Sequence, residues 1–385
     1  MIKFKQFLGR SKQNLHLEHL EDEIFNRGLN GLTDVLKFFE NINKDKYDFT
    51  IKYDGSPSIV CGVDPVDNKF FVGTKAAFSK VPIYVKEESD LEQYQDRPEL
   101  KNKMEYCFKY LKSLNIKNVL QGDLLFTEQT IGSDDIISCY TPNTITYKVP
   151  TKLVENCKLG IVFHTSYSGN QLNKMVPNYK VDLSQLQTLP EVWVQTVGIK
   201  SDLQFNLQEE LTPLNQLIQG IEPNIFNEMV SYFNRFEGKY RFVQPKVYYN
   251  YLIRERKAQI TKRVVKHLDK YKSYLKDKFQ QRKQELKSKT GKENADKKLK
   301  EIFDFIQNNL QTFDLMVNLH EQVSKVKLSI IKQLEKQSDC LLESYMGTEK
   351  VSNEGYVIIN KLTNKAIKLV NRLEFSRNNF NNENF

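Results

Sequence analysis

Nowhere does this chain place two cysteines in a C-x-x-C pair. Its five cysteines (Cys61, Cys107, Cys139, Cys157 and Cys340) are odd in number and widely scattered. They suggest neither a disulfide framework nor a zinc site, and fit a reducing cytoplasm. No apolar run approaches the roughly eighteen residues that a membrane helix needs, so no membrane partner is expected. The opening "MIKFKQFLGRSKQNLHLEHLEDE" is basic but has no continuous apolar stretch, which is not the pattern of a secretory signal. There is no internal repeat, and low complexity is confined to the Asn-rich end "SRNNFNNENF". His16, His19, Glu18 and Glu21 gather in "LHLEHLE", where the polar first turn of a helix is a better explanation than a metal.

What is present is ample apolar material. The 385 residues, 39% hydrophobic and 27% charged, suffice for two or three globular domains with a sizeable core. The net charge of +9 is unevenly placed. Residues 251 to 300 hold eighteen Lys or Arg against six Asp or Glu, a net of +12, so the rest of the chain sums to −3. A polyanion should therefore meet that segment, and Arg254, Arg256, Lys257, Lys262, Arg263, Lys266 and Lys270 are its candidate contacts. The competing reading is an ordinary solvated helix face.

Periodicity divides the chain. "HLEHLEDEIFNRGLNGLTDVLKFFENI" sets Leu32, Val35, Leu36 and Phe39 on one helical face. From about Tyr47 the pattern becomes short β-rich runs: "FTIKY", "SIVCGV", "KFFVGT", "NVLQGDLLF", "TITYKV" and "LGIVFHTSY", with one helix at "ELKNKMEYCFKYLKSLN". Residues from about 200 to 345 read as helical. One helix carries Ile260, Val264, Leu268, Tyr271, Leu275 and Phe279. After a turn at "SKTGKENAD", a second carries Leu299, Ile302, Ile306, Phe313 and Val317, which makes a helical hairpin. Strands return at "EGYVIIN" and "KAIKLVN". The expected class is α+β, built on antiparallel sheets.

Within "FTIKYDGSPSIVCGVD", Lys52 and Asp54 stand at the mouth of a turn between two strands. The plain reading is a solvated turn. Four later stretches bear on it: "QGDLLF" with Asp123, "LGIVFHTSY" with Phe163, "NEGYVIIN" with Glu354 and "NKAIKLVN" with Lys368. In this order the series resembles the covalent nucleotidyltransferases, namely ATP-dependent DNA ligases, RNA ligases and capping enzymes. Together with "HLEHLED", "KFFVGTKAAFSK", "YTPNTITYKVP" and "IKLVNRLEFSRNNF", it is similar over nearly the whole chain to an uncharacterised ligase-like family of T4-like tailed phages.

The resemblance implies a nucleotidyltransferase (adenylation) fold over residues 46–170 and 346–375. A helical lead would occupy 1–45, a basic and mostly helical insertion 171–345, and a polar tail 376–385. It implies ATP and Mg²⁺ as cofactors, and Lys52 as the amine that takes up AMP, with burial and Lys368 lowering its pKa. Asp54, Gly55 and Lys75 would join Lys52 around the nucleotide, Phe163 would stack on the base, and Asp123 and Glu354 would hold the metal or a ribose hydroxyl. The acceptors would be DNA or RNA ends bearing a 5′-phosphate and a 3′-hydroxyl, and the protein a monomer in the cytoplasm of an infected host or associated with a virion. The chain departs from the pattern in several places. Ser56, Pro57 and Ser58 stand where ligases carry an arginine, Asp123 replaces a Glu, and Val370 replaces a second lysine, leaving Lys365 as the other candidate. No C-terminal OB domain is expected after "IKLVN". These departures sustain an alternative: a catalytically idle nucleotidyltransferase fold that binds nucleic acid or belongs to a virion.

Overall fold

The structure, a computed structural model, describes residues 18–255, 267–337 and 342–372. They form two units that interleave along the chain. The helix α1 (Glu23–Asn41) belongs to a helical unit, whereas α2 (Pro98–Leu111) and the strands belong to a sheet unit. The sheet unit comprises Asn43–Leu203 and Leu334–Val370. The helical unit takes Glu18–Ile42, Gln204–Gln333, Asn371 and Arg372.

Three sheets make up the sheet unit. The first runs β12 (Ile199–Lys200), β1 (Tyr47–Lys52), β15 (Gly355–Asn360), β16 (Ala366–Val370), all antiparallel. The second runs β10 (Val176–Asn178), β9 (Leu159–Ser168), β5 (Val119–Thr127), β2 (Ser58–Val63), β3 (Phe70–Gly73), β4 (Tyr84–Val85), and β11 (Val192–Gln195) pairs with β9 in parallel. The third runs β14 (Glu349–Val351), β13 (Glu343–Met346), β8 (Thr146–Pro150), β7 (Ile137–Tyr140), β6 (Ile131–Ser133). Every strand read from the sequence is found, and the class is α+β with antiparallel sheets.

The second sheet is covered on both faces, and this explains its continuous apolar runs. Ile59 and Cys61 turn toward α2, where Met104, Cys107 and Leu111 meet Ile161 and Phe163. Val60 turns the other way, toward Phe71, Ala77 and Phe78. All of these side chains are buried.

In the helical unit, α1 is followed by α3 (Gln208–Gln219), α4 (Pro223–Asn234), α5 (Pro245–Arg254), α6 (His267–Glu285), α7 (Lys289–Asn308) and α8 (Leu310–Gln337). The first helix is therefore no separate lead. Glu21 and Asp22, just before it, are sealed into an ion cluster with residues of α8. Lys327 meets Glu21 at 2.7 Å, His320 lies 3.2 Å from Asp22, and Arg372 reaches Asp22 at 2.9 Å. The insertion begins at Gln204 rather than near 171, because β10, β11 and β12 still belong to the sheets.

The hairpin of α6 and α7 matches the stripe read from the sequence, with Tyr271, Leu275, Phe279, Ile302 and Ile306 buried. Ile260 and Val264 lie outside the described residues. The turn is shorter than "SKTGKENAD". Ser288 Oγ accepts the Gly291 amide at 3.0 Å and caps α7, so Gly291, Asn294 and Asp296 fall inside the helix. The second helix also breaks at Asn309, which leaves Phe313 and Val317 on α8.

Candidate functional site

Lys52 is the last residue of β1 and lies opposite Gly355, the first of β15. There the backbone of β15 passes so close to β16 that a Cβ on Gly355 would stand 2.2 Å from the Leu369 carbonyl oxygen. Glu354, buried just before β15, accepts a hydrogen bond from Lys52 Nζ. On β16, Lys368 pairs with Val357. The two-residue alternation of strands sets it on the same face of the sheet as Lys52.

From Lys52 the chain crosses to the second sheet through Tyr53–Pro57. Asp54, buried in this crossing, is fully engaged. Asn143 Nδ2 donates to one carboxylate oxygen at 2.8 Å. The Thr144 amide, the Thr144 hydroxyl and the Ile145 amide donate to the other at 2.9, 2.7 and 3.2 Å. The Asp54 amide donates to Tyr147 Oη at 2.7 Å. Asp54 thus fastens the loop before β8 to the crossing, and its oxygens are already shared among four donors. Gly55 is required by close approach, since a Cβ there would lie 2.6 Å from Asp123 Cβ.

Asp123, on β5, faces Ser58 of β2. His164 Nε2 lies 3.6 Å from its carboxylate. The pairing of β5 with β9 skips His164, because Gln121 meets Thr165 while Gly122 meets Phe163. The extra residue is a bulge, which re-aims a side chain, and His164 is delivered to Asp123 by it. Nothing in "LGIVFHTSY" announces a bulge, so His164 escapes a sequence reading. Asn143 and Thr144 escape it as well, although "YTPNTITYKVP" contains them.

The electrostatics revise one expectation. Burial by itself would lower the Lys52 pKa, but Glu354, Asp123 and Asp54 outweigh it and hold the ammonium above the ordinary lysine range. The expected lowering by burial and Lys368 is therefore reversed, because carboxylates surround the amine. Burial pushes the Glu354 carboxyl upward, against the pull of Lys52 and Lys368. Burial would also raise Asp123, yet His164 and Lys52 keep it below the ordinary carboxylate range. Lys75, in the turn of helix at Lys75–Phe78, is the cation pushed down, by burial and then by Lys52, with Asp123 opposing.

Lys52, Asp54, Gly55, Lys75, Asp123, Glu354 and Lys368 thus converge within the sheet unit. Two candidates stand elsewhere. Phe163 is wholly buried against α2 and offers no face to a base. Lys365 lies at the far end of the β15–β16 hairpin, where its carbonyl accepts the Asn360 amide at 2.8 Å. Five residues of strand put it about 16 Å along the sheet from Gly355. Of the basic candidates, Arg254 closes α5 and Lys270 lies on α6, both exposed. Arg256, Lys257, Lys262, Arg263 and Lys266 lie outside the described residues.

Among the described residues, no group of three or more His, Cys, Asp or Glu side chains is placed to hold a metal. Asp123 and Glu354 are hard oxygen donors of the kind Mg²⁺ takes one or two at a time when phosphates supply the rest. Among the same residues no helix is long and apolar enough to cross a membrane.

The fold and site define an α+β protein with a lysine and carboxylates gathered where two antiparallel sheets meet. The chain belongs to DUF6267, a family of unknown function, which it matches over residues 14–384. No curated protein and no solved structure matches it.

Proposed function

We propose that the protein is an ATP-dependent polynucleotide ligase that works through a nucleotide carried on Lys52. The observation that supports this most is the placement of Lys52: it ends a central strand, bonded to Glu354, with Asp123 from a second sheet and Lys368 on its own face. Once Nζ loses its proton, its lone pair attacks the α-phosphorus of ATP. A P–N bond forms, the P–O bond to the β-phosphate breaks, and pyrophosphate leaves. Lys368 would meet the charge growing on the α-phosphate oxygens, and Lys75 would hold the outgoing phosphates. Asp123 and Glu354 would hold Mg²⁺, which supplies compensation of phosphate charge when bound. A 5′-phosphate oxygen of DNA or RNA then takes the AMP from Lys52, and a 3′-hydroxyl displaces AMP to join the strands.

Incubation with α-³²P-ATP and Mg²⁺ should leave label on the denatured protein, whereas γ-³²P-ATP should leave none. Lys52→Ala should take no label. Label retained by that variant would place the nucleophile elsewhere.

One observation favours the second reading, an idle fold that only binds nucleic acid or serves in a virion. The carboxylates around Lys52 push its pKa above the ordinary lysine range, so the amine gives up its proton less readily than a free lysine until ligand binding draws those acids away. Absence of label in the wild type, with nicked DNA or RNA present, would decide for it.

A further inference from the structure

Part of the charge concentrated in residues 251–300 is organised on one side of the α6–α7 hairpin. Three contacts set the register there. Lys283 Nζ meets Asp296 at 2.7 Å, Lys276 Nζ lies 6.0 Å from the centre of the Phe303 ring, and Lys272 Nζ donates to Gln307 Oε1 at 3.1 Å. Moving down α6 from 283 to 272 moves up α7 from 296 to 307, which is an antiparallel strip about 16 Å long.

Its centre is Phe303, only half-buried, with the Lys272 ammonium 5.9 Å from the ring centre beside that of Lys276. Lys300, exposed and three residues before Phe303, shares its side of α7. Among the described residues no carboxylate pairs with Lys272, Lys276 or Lys300. Asp296, the acid on this side of α7, is taken by Lys283. Asp304 and Glu301 are turned roughly 100 and 160 degrees around the helix from Phe303. Asp269 stands at the lower end of the strip, one turn before Lys272.

An aromatic ring flanked by uncompensated ammoniums is the pairing that single-stranded nucleic acid recruits, with rings for bases and cations for phosphates. An acidic peptide would use the lysines and have no use for the ring. An anionic membrane would need several apolar groups, and this strip has one. We propose that Lys272, Lys276, Lys300 and Phe303 form a sequence-tolerant site for single-stranded nucleic acid, Phe303 stacking on a base and the lysines holding the phosphates beside it. The site goes beyond nucleotide transfer to Lys52 and does not depend on it.

The test is fluorescence anisotropy of the full-length protein with a labelled oligothymidylate of roughly ten nucleotides, a length typical of such grooves, across a salt series. Affinity should fall with salt. Lys272→Gln combined with Lys276→Gln should flatten the log–log slope by about 1.4, which is ~0.7 for each phosphate no longer neutralised. Phe303→Leu should weaken binding roughly tenfold with the slope unchanged. Lys287→Gln combined with Lys297→Gln removes equal charge off the strip and should keep the wild-type slope. Lys52→Ala should bind as the wild type does, so a failure of labelling leaves this result standing. The proposal is overturned by absence of wild-type binding at low salt, by equal losses from both lysine pairs, or by an unaffected Phe303→Leu. Better competition from phosphatidylserine vesicles or polyglutamate than from the oligonucleotide would overturn it too, and make the strip a face for those polyanions.

Discussion

Both units take a lysine–glutamate pair out of water, and they do so to different depths. In the helical unit the side chains of Lys327 and Glu21 are 1% and 2% exposed, closed in by Asp22, His320 and Arg372. In the sheet unit Glu354 is nearly as deep, at 6%, but Lys52 keeps 26% of its side-chain surface. A sealed pair cannot trade its partner for a ligand without unfolding something. A pair open on the lysine side can. The same pairing is therefore sealed in one unit and open to water on its lysine side in the other.

The largest effect that could break this contrast is on stability. Lys327→Met leaves Glu21 buried against Arg372 alone and should cost about 3–5 kcal/mol, read from urea unfolding by far-ultraviolet circular dichroism. Lys52→Met should cost less, because Glu354 keeps Lys368 near it and water reaches the lysine side, while abolishing label. Equal costs would erase the distinction.

Acid should separate the units next. Burial holds the His19 imidazole well below its ordinary value, so the unfolded chain binds a proton that the folded one refuses. Stability from that source falls as pH drops below about 6.5. Burial would raise Glu21, but Lys327 and Arg372 bring it down to about 2. Its contribution is present above the ordinary Glu pKa of about 4.3 and is lost toward pH 2. Trp193, the single tryptophan, lies on β11 of the sheet unit. In an acid titration the helical dichroism should decline before Trp193 fluorescence responds. A simultaneous loss would mean that the ion cluster does not set the acid limit.

The smallest effect concerns Phe163. Phe163→Leu nearly conserves volume and should cost about 1 kcal/mol without changing the ATP concentration needed for labelling. A higher ATP requirement at unchanged stability would return Phe163 to the nucleotide.

That revision shows where the sequence is legible. The strands around Lys52, Glu354 and Lys368 could be read because apolar runs and turn residues bound them sharply. The facing of Phe163 could not be read. Leu159, Ile161 and Phe163 share a parity, but Gly160 and Val162 between them are no more polar, because both faces of this sheet are covered. Alternation is the signal that assigns a strand residue to a face, and here it is missing. The upward shift of the Lys52 pKa was hidden for another reason: it depends on Glu354, some three hundred residues away in sequence, and on Asp123, some seventy away. The place of α1 was hidden likewise, since Glu21 reads as part of a polar first turn until Lys327 and Arg372 arrive from the other end of the chain.

Asp54 has one more consequence. It grips residues 143–145, which lead into β8. That strand pairs with β13, and β13 with β14, the last element before Glu354. Lys52 and Glu354 are thus the two jaws of a closed linkage whose frame is the third sheet. The pair is therefore tied twice, once directly where β1 meets β15 and once around the third sheet, whose strands carry none of its charge.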